Sequence, residues 1–267
     1  MPQSTHRFSV NGARVEIFER SSDASEFAAD QIRGLIQSCL TTRGKVVLGL
    51  ATGSTPEPVY ARLVEAHQAG SLSFEKVTTF NLDEYYPMSP LDPQSYRSYM
   101  HRHLFAKVDI PPHQAHLLDG TVPEAFVNDH TAQFDQWIKA GGGLDFQLLG
   151  LGRNGHIGFN EPSNLPIEQA LKLSTRIVEL HPMTIADAVK DFGSEALVPR
   201  RALTMGVASI LEARSILILA FGERKASAVA RSLQGPITAE VPGSLLQTVA
   251  GQVTWLLDTG SASQILR

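Results

Sequence analysis

A buried β-strand that ends in glycines is predicted by Leu144-Asp145-Phe146-Gln147-Leu148-Leu149-Gly150-Leu151-Gly152. Arg153 follows, and then the segment Asn154-Gly155-His156-Ile157-Gly158-Phe159-Asn160-Glu161-Pro162, which shows no helical periodicity. His156 and Glu161 are therefore expected at the carboxyl end of a strand. Ligands of open α/β sheets bind at this end, so the segment predicts an acid/base pair that a substrate can reach.

Short apolar runs and amphipathic stretches alternate along the rest of the chain. Strands are predicted at residues 46–50, 76–82, 174–180, 215–221 and 253–257. Continuous apolar strands between helices favour the α/β class, and we predict a Rossmann-like, open, mostly parallel sheet with helices on both faces. Since no repeat, low-complexity tract or linker divides the sequence, residues 1–267 are expected to form a single domain.

The composition argues against several classes of partner. The chain has 267 residues and a formal net charge of −4, with no long basic run, so we expect no nucleic-acid partner. Cys39 is the only cysteine, which excludes an internal disulfide. Residues 1–7 lack the apolar stretch of a signal peptide, and no apolar run approaches the roughly 20 residues of a membrane span. We therefore expect a cytoplasmic protein without a membrane partner.

Two segments have features of a phosphate site. Ala51-Thr52-Gly53-Ser54-Thr55-Pro56 is a turn from a strand to a helix, where free backbone N–H groups and hydroxyl groups can bind an anion. The simpler alternative is that Ser54 or Thr55 only caps the helix. Lys225 is expected in the first turn of another helix, where a positive charge opposes the helix dipole unless an anion lies nearby.

Asp83 and Glu84 are two adjacent carboxyls after the predicted strand 76–82. From spacing alone, a solvated turn is the simpler explanation. A carboxylate that is partly buried beside a ligand can instead have its pKa raised towards neutrality and act as a base. The residues themselves leave both explanations open.

His156 also has more than one explanation. It could be a turn histidine with satisfied hydrogen bonds, or Glu161 could orient its ring through a carboxylate–imidazole hydrogen bond. A metal site is not expected, because no second His or Cys stands at ligand spacing. Gly150, Gly152 and Gly155 match the spacing of a dinucleotide-binding turn, but no helical stripe follows them, so no nucleotide cofactor is expected.

Together these segments resemble the glucosamine-6-phosphate deaminase (isomerase) family, which is related in fold to the 6-phosphogluconolactonases. The resemblance runs from about residue 46 to residue 258. Its strongest elements are Phe80-Asn81-Leu82-Asp83-Glu84-Tyr85, Gly155-His156-Ile157-Gly158-Phe159-Asn160-Glu161-Pro162 and Ala202-Leu203-Thr204-Met205-Gly206-Val207. A lactonase would be expected to carry Thr after Gly-His and Asp-Glu-Arg in place of Asp83-Glu84-Tyr85.

The family converts glucosamine 6-phosphate and water into fructose 6-phosphate and ammonia without a metal or organic cofactor. By position, the resemblance implies that Asp83 is the base that moves a proton between C2 and C1. It also implies that His156 assists opening of the sugar ring and that Glu161 orients the histidine. The implied phosphate cradle consists of Thr52, Gly53, Ser54, Thr55 and Lys225.

Three departures from the family pattern bear on the expected site. Asn154 stands where many members have aspartate; an asparagine can hydrogen-bond the imidazole, but it adds no negative charge. Lys190 is the only cation in residues 186–192, where many members bind the phosphate with an arginine, and a lysine lacks the bidentate fork.

Allosteric hexamers of the family carry Arg-Ile-Lys where this chain has Arg176-Ile177-Val178. We therefore expect a monomer or small homo-oligomer and not an allosteric hexamer.

Two other functions fit part of these motifs. A 6-phosphogluconolactonase-like hydrolase is disfavoured by Phe159-Asn160-Glu161-Pro162. A non-catalytic sugar-phosphate sensor would keep the phosphate cradle but would have no need for Asp83, His156 and Glu161 together. The isomerising deaminase, acting on a phosphorylated amino sugar, is therefore the leading prediction.

Overall fold

The computed structural model of the chain describes residues 2–265. They form eleven β-strands and eight α-helices, joined by turns and short 3₁₀ segments. The strands are β1 His6–Val10, β2 Ala13–Phe18, β3 Val46–Leu50, β4 Val77–Asn81, β5 Asp83–Tyr86, β6 Ala115–His116, β7 Phe146–Gly150, β8 Arg176–Glu179, β9 Arg201–Thr204, β10 Ile216–Ala220 and β11 Val253–Asp258. The helices are α1 Ser21–Arg43, α2 Glu57–Gln68, α3 Tyr96–His103, α4 Val127–Ala140, α5 Ile167–Ala170, α6 Pro182–Phe192, α7 Val207–Leu211 and α8 Ala226–Gln234.

Eight strands form one open sheet, in the order β1-β2-β11-β10-β7-β3-β4-β6. β1 pairs antiparallel with β2, and the other pairings in this sheet are parallel. The strands β3 and β10 are buried along their whole length, as expected of parallel strands whose two faces are both covered. The predicted α/β fold with an open, mostly parallel sheet is confirmed.

The strand order reverses between β3 and β7, which are neighbours in the middle of the sheet. From β3 the chain moves outwards to β4 and β6, and then returns to the other side of β3 to add β7, β10 and β11. Such a reversal leaves a crevice outside the carboxyl ends of the two strands. The chain leaves β3 at Ala51 and β7 at Leu151, so two of the segments singled out above open into this crevice.

A second, smaller sheet is absent from the sequence-based expectation. The strands β5, β9 and β8 pair antiparallel, with Asp83 opposite Thr204 and Thr204 opposite Arg176. Residues 174–180 are thus extended, as predicted, but they pair outside the main sheet. Because only Leu82 separates β4 from β5, the chain passes directly from one sheet to the other at the edge of the crevice.

The N-terminal hairpin of β1 and β2 also has no counterpart among the predicted strands. Asn11 and Gly12 have φ angles of 49° and 90°, the left-handed pair typical of a two-residue hairpin turn. β2 then pairs in parallel with β11, so the hairpin extends the main sheet at one edge.

None of the helices within residues 2–265 is long and apolar enough to span a membrane. The single-domain extent of residues 1–267 stays a prediction, and Met1, Leu266 and Arg267 lie outside the described residues.

Two glycines provide a paired test of the packing. A Cβ at Gly206, between β9 and α7, would overlap the backbone of Leu173 and Ser174, whereas a Cβ at Gly34 in α1 would meet no atom within 4 Å. We expect Gly206→Ala to lower the free energy of unfolding by about 2–3 kcal/mol through overpacking. Gly34→Ala should raise it by about 0.5–1 kcal/mol, because alanine loses less backbone entropy than glycine in a helix. Denaturant unfolding measures both changes, and effects of the same sign would contradict this packing.

Candidate active site

A pocket of about 230 Å³ lies at the carboxyl ends of β3 and β7. Eight of the ten site residues predicted from the sequence line it: Thr52, Gly53, Ser54, Thr55, Asp83, His156, Lys190 and Lys225. The other two, Asn154 and Glu161, are outside the lining and hydrogen-bond to His156. The structure therefore brings residues from five separate parts of the sequence to one cavity and its immediate support.

The loop after β3 is held by two tyrosines from neighbouring helices. Tyr60 of α2 donates a hydrogen bond to the carbonyl oxygen of Ala51. Tyr99 of α3 donates one to the carbonyl oxygen of Gly53 at 2.7 Å. Gly53 has a φ of +96°, a left-handed conformation that favours glycine. Because these two carbonyls are bound, the loop has a defined shape at the pocket.

The start of α2 decides between the two explanations of this hydroxyl-rich loop. α2 begins at Glu57 with Pro56 at the N-cap, and no side chain caps it. The explanation that Ser54 or Thr55 serves only as a cap is therefore wrong. Both residues line the pocket instead, where their hydroxyl groups can donate hydrogen bonds to an anion.

Asp83 is a buried carboxyl, with 6% of its surface exposed. Burial raises the pKa of Asp83 well above its usual range, and the negative charge of Glu84 raises it further. The explanation of residues 83 and 84 as a solvated turn is therefore wrong. A carboxyl with a raised pKa holds its proton more tightly and is a stronger base once ionised, which suits proton transfer near neutral pH.

Glu161 and Thr184 hold the ring of His156 from one side. Nδ1 of the ring lies 3.2 Å from Oε2 of Glu161 and 3.2 Å from Oγ1 of Thr184. Burial favours a raised pKa for Glu161, but the hydrogen bond and charge of His156, with Thr184 and Asn154, lower it below its usual value. Glu161 is therefore an anion beside the ring. Because Nδ1 is engaged, Nε2 is the ring nitrogen left for a ligand in the pocket.

Asn154 has different partners from the one expected. Its Nδ2 donates to Oε2 of Glu161 at 2.9 Å, and its Oδ1 accepts from the backbone N–H of His156 at 3.1 Å. The expectation that Asn154 hydrogen-bonds the imidazole is wrong, since a short Asn side chain readily accepts from the backbone two residues further on. Asn154 thus positions both the turn and the carboxylate that hold the ring.

The glycines before His156 have a steric explanation. A Cβ at Gly152 would overlap the imidazole of His156, and Gly155 has a φ of +94°. Gly152 therefore makes room for the ring, and Gly155 turns the chain. No helix begins within residues 151–166, so the segment lacks the helix N-terminus on which a dinucleotide binds.

Positive charge is concentrated at one end of the pocket. Lys225 stands at the N-cap of α8, and its Nζ donates to the carbonyl oxygen of Leu151 at 2.7 Å. Burial lowers the pKa of Lys225, the carboxylate of Asp187 raises it, and Arg153 and Lys190 lower it. Nε of Arg153 lies 2.8 Å from Oδ2 of Asp187. Asp191 also lines the pocket, so three cations and two carboxylates leave one net positive charge, which favours an anion such as a phosphate.

The pocket has an aromatic wall, formed by three residues that were not predicted as site residues. Tyr85, Tyr96 and Phe159 line the cavity. The rings of Tyr96 and Phe159 stack with centroids 6.0 Å apart, and Tyr85 packs against both. Thr184 and Asp187, which also line the pocket, were missed too. They stand on α6, and no local pattern indicates that this helix packs over the crevice.

The described side chains support proton transfer and anion binding in the same cavity. Asp83 offers a buried carboxyl, His156 offers a ring nitrogen, and Lys225 offers a positive charge. Within residues 2–265, no three histidine, cysteine or acidic side chains lie close enough to hold one metal ion.

Comparisons with known proteins find relatives over most of the chain. The profile of a family described as glucosamine-6-phosphate isomerases/6-phosphogluconolactonase matches residues 19–255. A glucosamine-6-phosphate deaminase of Rhodopirellula baltica is 48% identical over 254 residues, 95% of this chain and 96% of that protein. Glucosamine-6-phosphate deaminase 2 of Bacillus subtilis is 40% identical over 254 residues, 94% of this chain and 97% of that protein.

Solved structures share the fold. A monomeric glucosamine-6-phosphate deaminase has a TM-score of 0.86 at 38% identity, over 94% of this chain and 99% of that chain. A 6-phosphogluconolactonase of Thermotoga maritima has a TM-score of 0.69 at 19% identity, over 91% of this chain and 98% of that chain, which is a likeness of fold alone. From the profile match and these relatives, the chain belongs to the glucosamine-6-phosphate isomerase/6-phosphogluconolactonase family.

Proposed function

We propose that this chain is an isomerising deaminase that converts glucosamine 6-phosphate and water into fructose 6-phosphate and ammonia. The observation that carries the proposal is the shared pocket, in which buried Asp83 and the carboxylate-held ring of His156 lie in one lining with Lys225. Relatives at 40% and 48% identity are named glucosamine-6-phosphate deaminases. The family profile also covers 6-phosphogluconolactonases, but the solved lactonase compared above is 19% identical and similar in fold alone.

Opening of the sugar ring is the first step of the proposed reaction. The ring oxygen must gain a proton while the hydroxyl at C1 loses one, which gives the open-chain aldehyde. We assign both transfers to Nε2 of His156, which delivers a proton to the ring oxygen and takes up the proton of the C1 hydroxyl, because Nδ1 is held by Glu161. The ionised Glu161 and the amide of Asn154 keep the ring in one orientation for this step.

Isomerisation then moves a proton from C2 to C1. Asp83 takes the proton from C2 while Nε2 of His156 returns to the aldehyde oxygen the proton that it took from the C1 hydroxyl, which leaves an enolamine with a double bond between C1 and C2. Return of the proton to C1 gives an imine at C2. Water adds to the imine and ammonia leaves, which yields the ketone of fructose 6-phosphate. A base whose pKa is raised by burial suits this transfer, and such catalysis contributes about 10²–10⁴-fold to a rate.

The phosphate is assigned to the cationic end of the pocket. Its oxygens would accept hydrogen bonds from the loop residues 52–55 and charge-assisted bonds from Lys225 and Lys190. Arg153 adds positive charge nearby and is itself held by Asp187. Binding energy at the phosphate is remote from the reacting carbons, and it can orient C1 and C2 towards Asp83.

We also propose that the protein is a monomer or small homo-oligomer without the allosteric hexamer of some relatives. A solved deaminase that shares 38% identity with this chain is described as monomeric. Val178 occupies the position at which the resemblance leads us to expect a lysine in the allosteric members.

Purified protein is expected to release ammonia and fructose 6-phosphate in equal amounts from glucosamine 6-phosphate. Asp83→Asn should lower kcat/KM by about 10²–10⁴-fold, because an amide cannot accept the proton from C2. Asp129→Asn, an exposed carboxyl on α4, is the control and should keep the original rate. Coupled assays of ammonia and of fructose 6-phosphate measure the rate of each variant. The deaminase proposal fails if neither product forms while 6-phosphogluconolactone is hydrolysed, and full activity in Asp83→Asn would remove that residue as the base.

Lys225→Gln should raise KM for glucosamine 6-phosphate by roughly 10–100-fold and change kcat less, since it removes charge from the phosphate site. Steady-state kinetics measure the two constants. Arg224→Gln changes the exposed neighbouring cation and is expected to leave both unchanged. With unphosphorylated glucosamine, Lys225→Gln and the original chain should react equally slowly. An equal loss with both sugars would show that Lys225 does not bind the phosphate.

The proposed base should make the protein less stable at high pH. Because folding raises the pKa of Asp83, the free energy of unfolding falls as the pH rises from the unfolded pKa towards the folded one. Asp83→Asn should therefore raise Tm by several degrees at about pH 8 and have less effect at about pH 4. Glu161 has a lowered pKa, so its stabilisation is present at high pH and lost as the pH falls through its folded pKa.

Thermal unfolding followed by circular dichroism over this pH range measures both effects. Glu161→Gln is the matched variant of opposite sign and should lower Tm at about pH 8. A lower Tm for Asp83→Asn than for the original chain at that pH would contradict the electrostatic description of the site.

A further inference from the structure

Glu84 is a buried carboxyl to which the proposed reaction gives no role. It follows Asp83 on β5, and only 2% of its surface is exposed. Successive side chains of a strand point to opposite faces, so Glu84 points away from Asp83, and it does not line the pocket. Burial of an acidic side chain is costly unless its oxygens have partners, and the partners of Glu84 show what it does.

The carboxylate of Glu84 accepts hydrogen bonds from three backbone N–H groups. Oε1 accepts from Tyr85 and Tyr96, each at 2.9 Å, and Oε2 accepts from Arg97 at 3.0 Å. Tyr96 and Arg97 are the first two residues of α3, whose N–H groups have no partner within the helix. Glu84 thus joins the strand that carries Asp83 to the first turn of α3, at the helix end that favours a negative charge.

Helix α3 in turn supports two parts of the pocket. Tyr96 lines the cavity, with its ring stacked on Phe159. One turn further on, Tyr99 donates its hydroxyl hydrogen bond to the carbonyl oxygen of Gly53 in the proposed phosphate loop. A shift of α3 relative to β5 would therefore change the distance between Asp83 and both the aromatic wall and the phosphate loop.

The charge of Glu84 also reaches Asp83. Burial raises the pKa of Glu84 to about 7, against the lowering effect of its three backbone donors and of the Arg97 charge. The negative charge of Glu84 is one of the two causes that raise the pKa of Asp83. Other titratable or charged groups near the two carboxyls include Tyr60 on α2, Tyr85 on β5, and Tyr96 and Arg97 on α3. The pocket that Asp83 lines also contains His156, Asp187, Lys190, Asp191 and Lys225. The residues of β9 opposite them are Thr204 and Leu203, which carry no charge.

We propose that Glu84 is a positioning residue of the proton-transfer site: its carboxylate fixes the first turn of α3 against β5 and holds a negative charge next to Asp83 on the same strand. This rests on the proposed role of Asp83. The two adjacent carboxyls then have separate tasks: Asp83 contacts the substrate, and Glu84 lies outside the pocket and holds α3.

The test compares Glu84→Gln with Ser95→Ala. Ser95 caps the same helix through its Oγ, which accepts from the N–H of Ser98 at 3.0 Å, so Ser95→Ala weakens the first turn of α3 without removing a charge. In Glu84→Gln, the acid limb of kcat/KM against pH should move to lower pH by about one unit. Its kcat at the plateau should fall about tenfold, because the base is weaker and α3 is less well held. In Ser95→Ala the acid limb should stay in place.

Glu84→Asp provides a third variant that keeps the charge but shortens the side chain. It should retain the original acid limb while its kcat falls. If Glu84→Gln does not fold, this variant still tests the positioning role, and no loss of kcat in Glu84→Asp would overturn that part of the proposal. An unmoved acid limb in Glu84→Gln, or an equal shift in Ser95→Ala, would overturn the role of the charge.

A readout without turnover separates this proposal from the proposed function. The carboxyl carbon of Asp83 is titrated by ¹³C NMR in the free protein, with Asp83→Asn used to assign its signal. Its midpoint should fall by about one unit in Glu84→Gln and stay unchanged in Ser95→Ala. If the chain released no ammonia, the deaminase proposal would fail, and the titration would still decide whether Glu84 controls the ionisation of Asp83. An unchanged midpoint in Glu84→Gln would overturn the coupling even in an active deaminase.

Discussion

Gly49 on β3 and Gln147 on β7 lie opposite each other in the middle of the main sheet. A Cβ at Gly49 would overlap the side chain of Gln147, so the glycine permits these two strands to pair with the large side chain beside them. Because β3 and β7 are parallel, their carboxyl ends meet. The loop of residues 51–55 and the turn that carries His156 therefore open into one pocket, and the rest of the site is built around this meeting point.

The proposed base reaches the pocket by a different route. The chain leaves the main sheet after β4 and enters the small antiparallel sheet, where Asp83 pairs opposite Thr204. This buries the carboxyl at the pocket, with 6% of its surface exposed, and burial raises its pKa. Glu161, which lies behind His156 and outside the pocket lining, has hydrogen-bond partners that lower its pKa. The pKa values of two carboxyls in the same site are thus shifted in opposite directions. This difference suits Asp83 to act as a base and Glu161 to act as the anion that orients the ring.

Much of the fold could be predicted because its signals are local. The apolar runs that form β3, β4, β7, β10 and β11 were all recognised as strands, since parallel strands buried on both faces carry uninterrupted apolar residues. The N-terminal hairpin was missed, although Asn11-Gly12 is a strong turn signal that could have identified it. Of the small sheet, only β8 fell within a predicted strand. The strands β5 and β9 have four residues each, too few for an alternating pattern to stand out.

The candidate site shows the same division. Glycines and polar residues after apolar strands indicated seven residues of the pocket lining, because each of those motifs is contiguous in sequence, and the family resemblance indicated Lys190 of α6. Thr184 and Asp187 could not be recognised in this way, as their place in the site depends on how α6 packs. The bonding partner of Asn154 was predicted wrongly, since sequence spacing does not show whether a side chain meets the ring or the carboxylate of its neighbour.

The sequence by itself determined the class of sheet, the strand ends at which chemistry is possible and the types of side chain present there. These properties follow from hydrophobic periodicity and from the conformational freedom of glycine, which act over a few residues. Only the tertiary structure decided which of those side chains are buried, which are paired and which share a cavity. The burial and the partners of a side chain depend on contacts between elements distant in sequence. These contacts place Asp83 in the pocket and join its neighbour Glu84 to the first turn of α3.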